Sequence, residues 1–177
     1  MDAVKRGTIT LSTSNGFFTV RVLWEERYDE TSGKTVIAIT DLQATSSEWI
    51  GVTYFLDGSI SVNGAEVITF NHTEEKHFVY WEAKNTFASV RIQNGGAPLP
   101  WISADLSQWK NVTIDVDISG YIVDKAWNVE GSESVELTYT GVCTIDGELY
   151  QAFVDNGSGF DLLLPHIEDG KKWNLCT

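Results

Sequence analysis

Between residues 112 and 123 apolar and polar side chains alternate in sequence. Val112, Ile114, Val116 and Ile118 fall on one side, and Thr113, Asp115, Asp117 and Ser119 on the other. That order suits an extended strand with one buried face, because successive side chains leave a strand on opposite faces. The same two-residue period recurs along the chain. Ile9 and Leu11 alternate within residues 7–13 and run into Ser14-Asn15-Gly16, a turn signal. Phe18, Val20, Val22 and Trp24 share a face opposite Thr19, Arg21 and Leu23. Residues 36–44 alternate again, residues 49–56 read as a strand, and Phe87, Ser89 and Arg91 alternate with Ala88, Val90 and Ile92. A helical period is nowhere sustained, so α/β and Rossmann-like folds are excluded. Strands recurring roughly every 8–12 residues, with turn signals between them, predict an all-β fold. The specific expectation is an antiparallel β-sandwich, immunoglobulin-like or jelly-roll-like.

The turns carry the rest of the architecture. Asn63-Gly64 is the strongest short hairpin signal available, because a type I′ turn needs positive φ at both central residues. Residues 29–33 form another turn. Asp57-Gly58 is expected to close a tight hairpin onto residues 59–62, and Glu130-Gly131-Ser132 to turn into a strand over residues 135–139. Residues 94–100 form one long irregular loop. Residues 103–109 are the one place for a short helical turn, with Ser103 as its N-cap. Trp49 and Trp81 lie in strand patterns and are expected in the core.

The last stretch of the chain says nearly the same thing twice. Val154-Asp155-Asn156-Gly157-Ser158-Gly159-Phe160-Asp161-Leu162 is followed by Ile167-Glu168-Asp169-Gly170-Lys171-Lys172-Trp173-Asn174-Leu175. The shared frame is aliphatic, acid, Asn or Asp, Gly, two spacers, aromatic, Asp or Asn, Leu. Val154, Asp155, Gly157 and Phe160 therefore correspond to Ile167, Glu168, Gly170 and Trp173, with Asp169 in the place of Asn156. The expected organisation is a sandwich over residues 1–141 and a β-hairpin repeat module over residues 142–177. Such a repeat is too short to bury a deep core of its own. It must lean on the sandwich, on a partner chain or on copies of itself, which makes it an assembly device.

Charge narrows the partners. Lys and Arg number 12 against 25 Asp and Glu, for a formal net charge of −13 and a pI near 4.4. A phosphate-backbone partner needs Lys and Arg surfaces for counterion release, so nucleic acid is not expected. An anionic membrane surface is disfavoured in the same way, and no apolar run reaches spanning length. Residues 1–13 lack the apolar core of a signal peptide, so synthesis and folding in a cytoplasm are expected. The two cysteines, Cys143 and Cys176, fit a reducing compartment better than a disulfide framework.

Chemistry is hard to find. His72 and His77 are five apart across a turn-like segment, which is not a zincin spacing, and His166 has no evident partner. Asp115 and Asp117 share a strand face, as calcium ligands or as ordinary solvent-facing residues would. Asp155, Asn156 and Asp161 hint at a calcium loop, yet the second repeat puts Lys171 and Lys172 where ligand oxygens would be needed. No metal and no cofactor are expected. There is no Gly-x-Ser-x-Gly elbow and no Cys/His pair in a workable frame. A glycan-active enzyme with two facing carboxylates remains the third reading, because their separation is invisible in a sequence.

Ligand binding by ring stacking is the stronger alternative. Trp101 and Trp109 flank Asp105 and Gln108 beside Pro98 and Pro100. An exposed indole next to amide and carboxylate groups is how a sugar site is built: the ring meets C–H groups while the polar groups bond hydroxyls. The competing reading is that both indoles plug the ends of the sandwich.

Trp127-Asn128-Val129-Glu130-Gly131-Ser132-Glu133-Ser134-Val135-Glu136-Leu137 resembles a turn and strand found in minor structural and tail proteins of siphophages of Gram-positive bacteria. There the pattern is His-Asn-x-Asp-Gly-Ser-x-Ser, and this chain departs from it at Trp127 and Glu130. The closing repeat, residues 153–160 and 166–173, also resembles the Tyr-Ile-Asp-Asn-Gly-x-x-Trp units of such proteins. The resemblance covers mainly the last third of the chain. It implies a virion component (tail, baseplate, fibre or decoration protein), assembled in a host cytoplasm. It also implies partners: other virion proteins or its own copies in a homo-oligomer such as a trimer, and a glycan on the host surface. The alternative is a stand-alone carbohydrate-binding module built on Trp101, Asp105, Gln108 and Trp109.

Overall fold

A computed structural model describes residues 2–47, 50–71, 77–82, 86–89, 91–92, 100–122, 125–140, 142–145, 148–155 and 159–162. Its strands, numbered in chain order, make two packed antiparallel sheets and a smaller third one. In the first, β1 (Asp2–Ser12), β2 (Phe18–Asp29) and β3 (Lys34–Ser46) form a meander. The second is centred on β4 (Ile50–Val62), which carries β5 (Ala65–Phe70) and β6 (His77–Glu82) along one side. The short β7 (Ala88–Ser89) and β9 (Trp101–Ile102) pair with β3, while β8 (Arg91–Ile92) pairs with β6. On the other side of β4 come β10 (Asn111–Ile122) and then β11 (Lys125–Glu136). The all-β sandwich expected from the alternation is the observed fold.

The core lies between the sheets and is filled by the residues that the alternation selects. Phe18, Val20, Val22 and Trp24 of β2 meet Val112, Ile114, Val116 and Ile118 of β10, all buried. Burying one such side chain stabilises the fold by about 1.5–3 kcal/mol. On β3 the inward set is Ile37 and Ile39, then Leu42 and Ala44. The phase shifts at Thr40, because Leu23 faces Asp41 while its neighbour Trp24 faces Ile39. One extra residue in β3 makes a bulge there. Val36 and Ala38, on the outward phase, are buried as well, beside Arg27 and Glu25 whose ion pair lies across this face.

Two turn expectations are overturned. Asp57-Gly58 does not close a hairpin; β4 runs straight through it, with Gly58 opposite Ile118. Gly58 has φ +115°, and a Cβ there would fall on the carbonyl oxygen of Asp117. The glycine is needed for close approach of two strands, not for chain reversal. Glu130-Gly131-Ser132 likewise lies in the middle of β11, with Gly131 opposite Val116. A Cβ at Gly131 would meet the Leu11 side chain, which reaches over from β1. Lys5 Nζ donates to the Glu136 carbonyl at 3.0 Å, and Trp24 Nε1 to Glu133 at 3.3 Å, so β11 is tied to both β1 and β2. Asn63-Gly64 is the expected type I′ turn, with φ of 52° and 78° between paired Val62 and Ala65.

No helix forms over residues 103–109. That segment docks on the edge of β3 instead. Ser103 N donates to Ile37 O and Leu106 N to Thr35 O, at 2.9 and 2.7 Å. In return Ile37 N donates to Ser103 Oγ and Thr35 N to Ser107 Oγ, at 2.8 and 2.9 Å. Ser103 is thus a partner of a strand edge, not a helix cap. These bonds satisfy edge groups that would otherwise invite another strand.

The third sheet is a meander of β12 (Val142–Ile145), β13 (Glu148–Asp155) and β14 (Gly159–Leu162). Among the described residues its strands pair only with one another. The first copy of the repeat forms the β13–β14 hairpin, with Val154 opposite Phe160 and Asp155 opposite Gly159. Gly157 and the second copy, with Ile167, Asp169, Gly170 and Trp173, lie outside the described residues.

Candidate functional site

The inward face of β2 does not stop at Trp24; it continues through Glu26 to Tyr28. The inward face of β11 continues through Val135 and Leu137 to Tyr139. The two runs meet at one pole of the sandwich. There the rings of Tyr28 and Tyr139 stack with centroids 4.6 Å apart and planes 17° from parallel. Glu26 lies just inside them and is fully buried. Its Oε1 accepts from the backbone N–H groups of Thr138 and Tyr139 at 2.6 and 3.2 Å, and its Oε2 accepts no hydrogen bond among the described residues.

The segment that carries Tyr139 is held on every side. Thr35 Oγ1 donates to the Tyr139 carbonyl at 2.5 Å. Thr140 Oγ1 lies 2.6 Å from the Trp109 carbonyl and donates to it. Leu137 N donates to Lys110 O at 2.9 Å, which extends the β10–β11 ladder past its last pair. Trp109 is therefore a chain neighbour of the Tyr139 segment. A tight turn fixes it: Trp109 N donates to Leu106 O at 2.9 Å, and Asp105 Oδ1 accepts from Ser107 N at 2.9 Å.

The four residues singled out from the sequence divide. Trp109 is 46% exposed, and Asp105 and Gln108 are exposed beside it. Trp101 is half-buried, pairs with Ile39 and packs against the core. Tyr139, 42% exposed, lies on the segment bonded to Trp109 through Thr140, where the sequence reading had looked to Trp101. Tyr28, Glu26 and Tyr139 were missed, although a carboxylate and a tyrosine in phase with Phe18, Val20, Val22 and Trp24 were a readable signal.

Electrostatics at this pole follow from burial and local bonds. Burial, first, and then the charges of Glu30 and Asp29 and the neighbouring Tyr139 push the Tyr28 phenol above its ordinary value. The hydroxyl of Ser32, 2.5 Å from Asp29 Oδ2, holds the Asp29 carboxyl below its ordinary value, helped by the Thr31 N–H.

Elsewhere the described residues hold no candidate metal cluster: no group of three or more His, Cys, Asp or Glu stands close enough to hold a metal ion among them. Asp115 and Asp117 are exposed on the outer face of β10, and Asp117 accepts from Asn128 Nδ2 at 3.1 Å. His72, His166 and Cys176 lie outside the described residues. Comparison with known proteins finds no family model that fits the sequence, and no curated protein or solved structure that matches it significantly.

Proposed function

We propose that this chain is a structural component of a bacteriophage particle, of the tail, baseplate, fibre or decoration type, that acts in assembly and attachment without catalysis. The observation that carries this reading is the C-terminal sheet. Its three strands pair only with each other among the described residues, and the sequence that builds its last hairpin is repeated directly afterwards. A lone small sheet is marginal in water and needs a surface to cover it. Copies of the same chain supply such a surface most simply, and a symmetric homo-oligomer follows. The siphophage-like motifs in the last third and the acidity fit the same reading.

The test is solution mass by light scattering, with and without residues 142–177. The expected result is a trimer or larger species for the full chain and a monomer for the truncated one. A monomer in both forms overturns the assembly role. A stand-alone carbohydrate-binding module is the second reading, and the exposure of Trp109 favours it.

A further inference from the structure

We propose that Tyr139 and Trp109 form a binding site for a pyranose sugar at the pole of the sandwich, with Tyr28 as the rigid backing of Tyr139. The inference adds a ligand and a site to the attachment role, and it does not depend on the C-terminal sheet.

Both rings are large and exposed; the Tyr139 ring is stacked, and the backbone beneath Trp109 is held. An aromatic face that must bind a weak ligand gains from being ordered beforehand, because no rotamer freedom is then lost on binding. Tyr139 has its ring stacked on Tyr28, its amide bonded to buried Glu26 and its carbonyl bonded to Thr35. Trp109 has both backbone groups engaged, by Leu106 and by Thr140. A fully buried carboxylate is costly in a core where an aliphatic side chain would serve. Here its bonded oxygen holds the backbone immediately beneath an exposed ring, which gives the burial a purpose.

The surroundings select the ligand. Each sugar hydroxyl both donates and accepts, so a sugar site needs both kinds of partner near the ring face. Exposed Gln108 offers both, Lys34 donates, and Asp105 and Glu30 accept. A protein-docking surface would present a broad continuous apolar patch, whereas exposed Gln108 and Lys110 flank Trp109 in the chain and exposed Thr138 precedes Tyr139. The net charge of −13 disfavours anionic polymers and leaves neutral sugars.

The experiment titrates the full chain with D-glucose, D-galactose and N-acetyl-D-glucosamine. Tryptophan fluorescence and saturation-transfer NMR follow binding. At least one sugar is expected to give a saturable change with a millimolar dissociation constant. Trp109→Ala and Tyr139→Ala should each weaken it roughly 3- to 10-fold, the factor that one aromatic contact supplies. Tyr139→Phe, which keeps the stack, should bind as the native chain does. Tyr121→Ala is the control, because Tyr121 is 53% exposed at the far end of β10. Circular dichroism checks folding, and Trp109→Ala keeps the test decisive if Tyr139→Ala does not fold. The site is overturned if no sugar gives a saturable change. It is equally overturned if Trp109→Ala leaves binding intact, or if Tyr121→Ala costs as much. Since oligomer size is not the readout, a failure here leaves the assembly reading standing, and the reverse holds too.

Discussion

Tyr28 shows how one side chain can serve two ends. Its ring closes the pole of the core by stacking on Tyr139, while its hydroxyl feels the charges of Glu30 and Asp29 in the adjoining turn. Burial first, and then the neighbouring carboxylates, make a phenolate there unfavourable, so the folded protein holds the Tyr28 proton at a pH where the unfolded chain has lost it. The sign follows from proton counting. The stabilisation is fully present below the unfolded value, 10.0, and is lost as pH rises through the higher folded value. Urea unfolding followed from pH 8 to pH 11.5, roughly spanning that window, should show stability falling once pH passes about 10. Tyr28→Phe should flatten part of that fall. An unchanged slope in the variant would mean that Tyr28 ionises as freely in the fold as outside it. The acid side behaves oppositely at Asp29. Its lowered carboxyl favours the fold above the unfolded value and loses that effect as pH falls.

At the scale of elements, β4 is the piece whose continuity matters most. It carries β10 on one side and both β5 and β6 on the other, and it passes Gly58 without turning. Gly58→Ala should cost at least about 2 kcal/mol, from a left-handed backbone and a collision with the β10 carbonyl together. Calorimetry should show the melting temperature lower by roughly 4–8 °C for a domain of this size. Gly16→Ala is the fair comparison, since Gly16 also has positive φ (68°) but open space around it. Its loss should be clearly smaller; equal losses would mean that strand crowding at Gly58 contributes nothing. The same glycine explains what could be read in the sequence. The strands β2 and β10 were visible because one buried face leaves a two-residue period. Gly58 and Gly131 misled because a glycine that makes room for a neighbouring strand looks, in sequence, like a glycine that makes a turn. Residues 103–107 misled for a related reason. Ser103 and Ser107 have the hydroxyls of helix caps, but their partners are 66 and 72 residues away on β3. Long-range pairing of that kind leaves no local trace. The pole suffered from it too: Trp109 was legible as an aromatic beside polar residues, whereas Tyr139 became its neighbour only through the end of the β10–β11 ladder.

For the whole molecule, charge sets the terms of self-association. Copies carrying −13 each repel at low ionic strength, and salt screens that repulsion over about 8–10 Å. Light scattering in low and high sodium chloride should therefore show the proposed oligomer strengthened by salt. Dissociation by salt would point to an interface of opposed charges instead of covered apolar sheet. The two poles of the sandwich also differ in kind. Asp2 pairs with Tyr28, and Tyr28 stacks on Tyr139, so the chain enters and leaves the sandwich at the same pole. A pull between residues 2 and 140 would then strain the tyrosine stack and the Glu26 bonds first, and would peel β1 from β2 one bond pair at a time. The strands would not be sheared along their length, and the far end of the core would carry no tension. Mechanically the sandwich is a pendant beside the line of force, weak as a link in series and well protected as something hung from it.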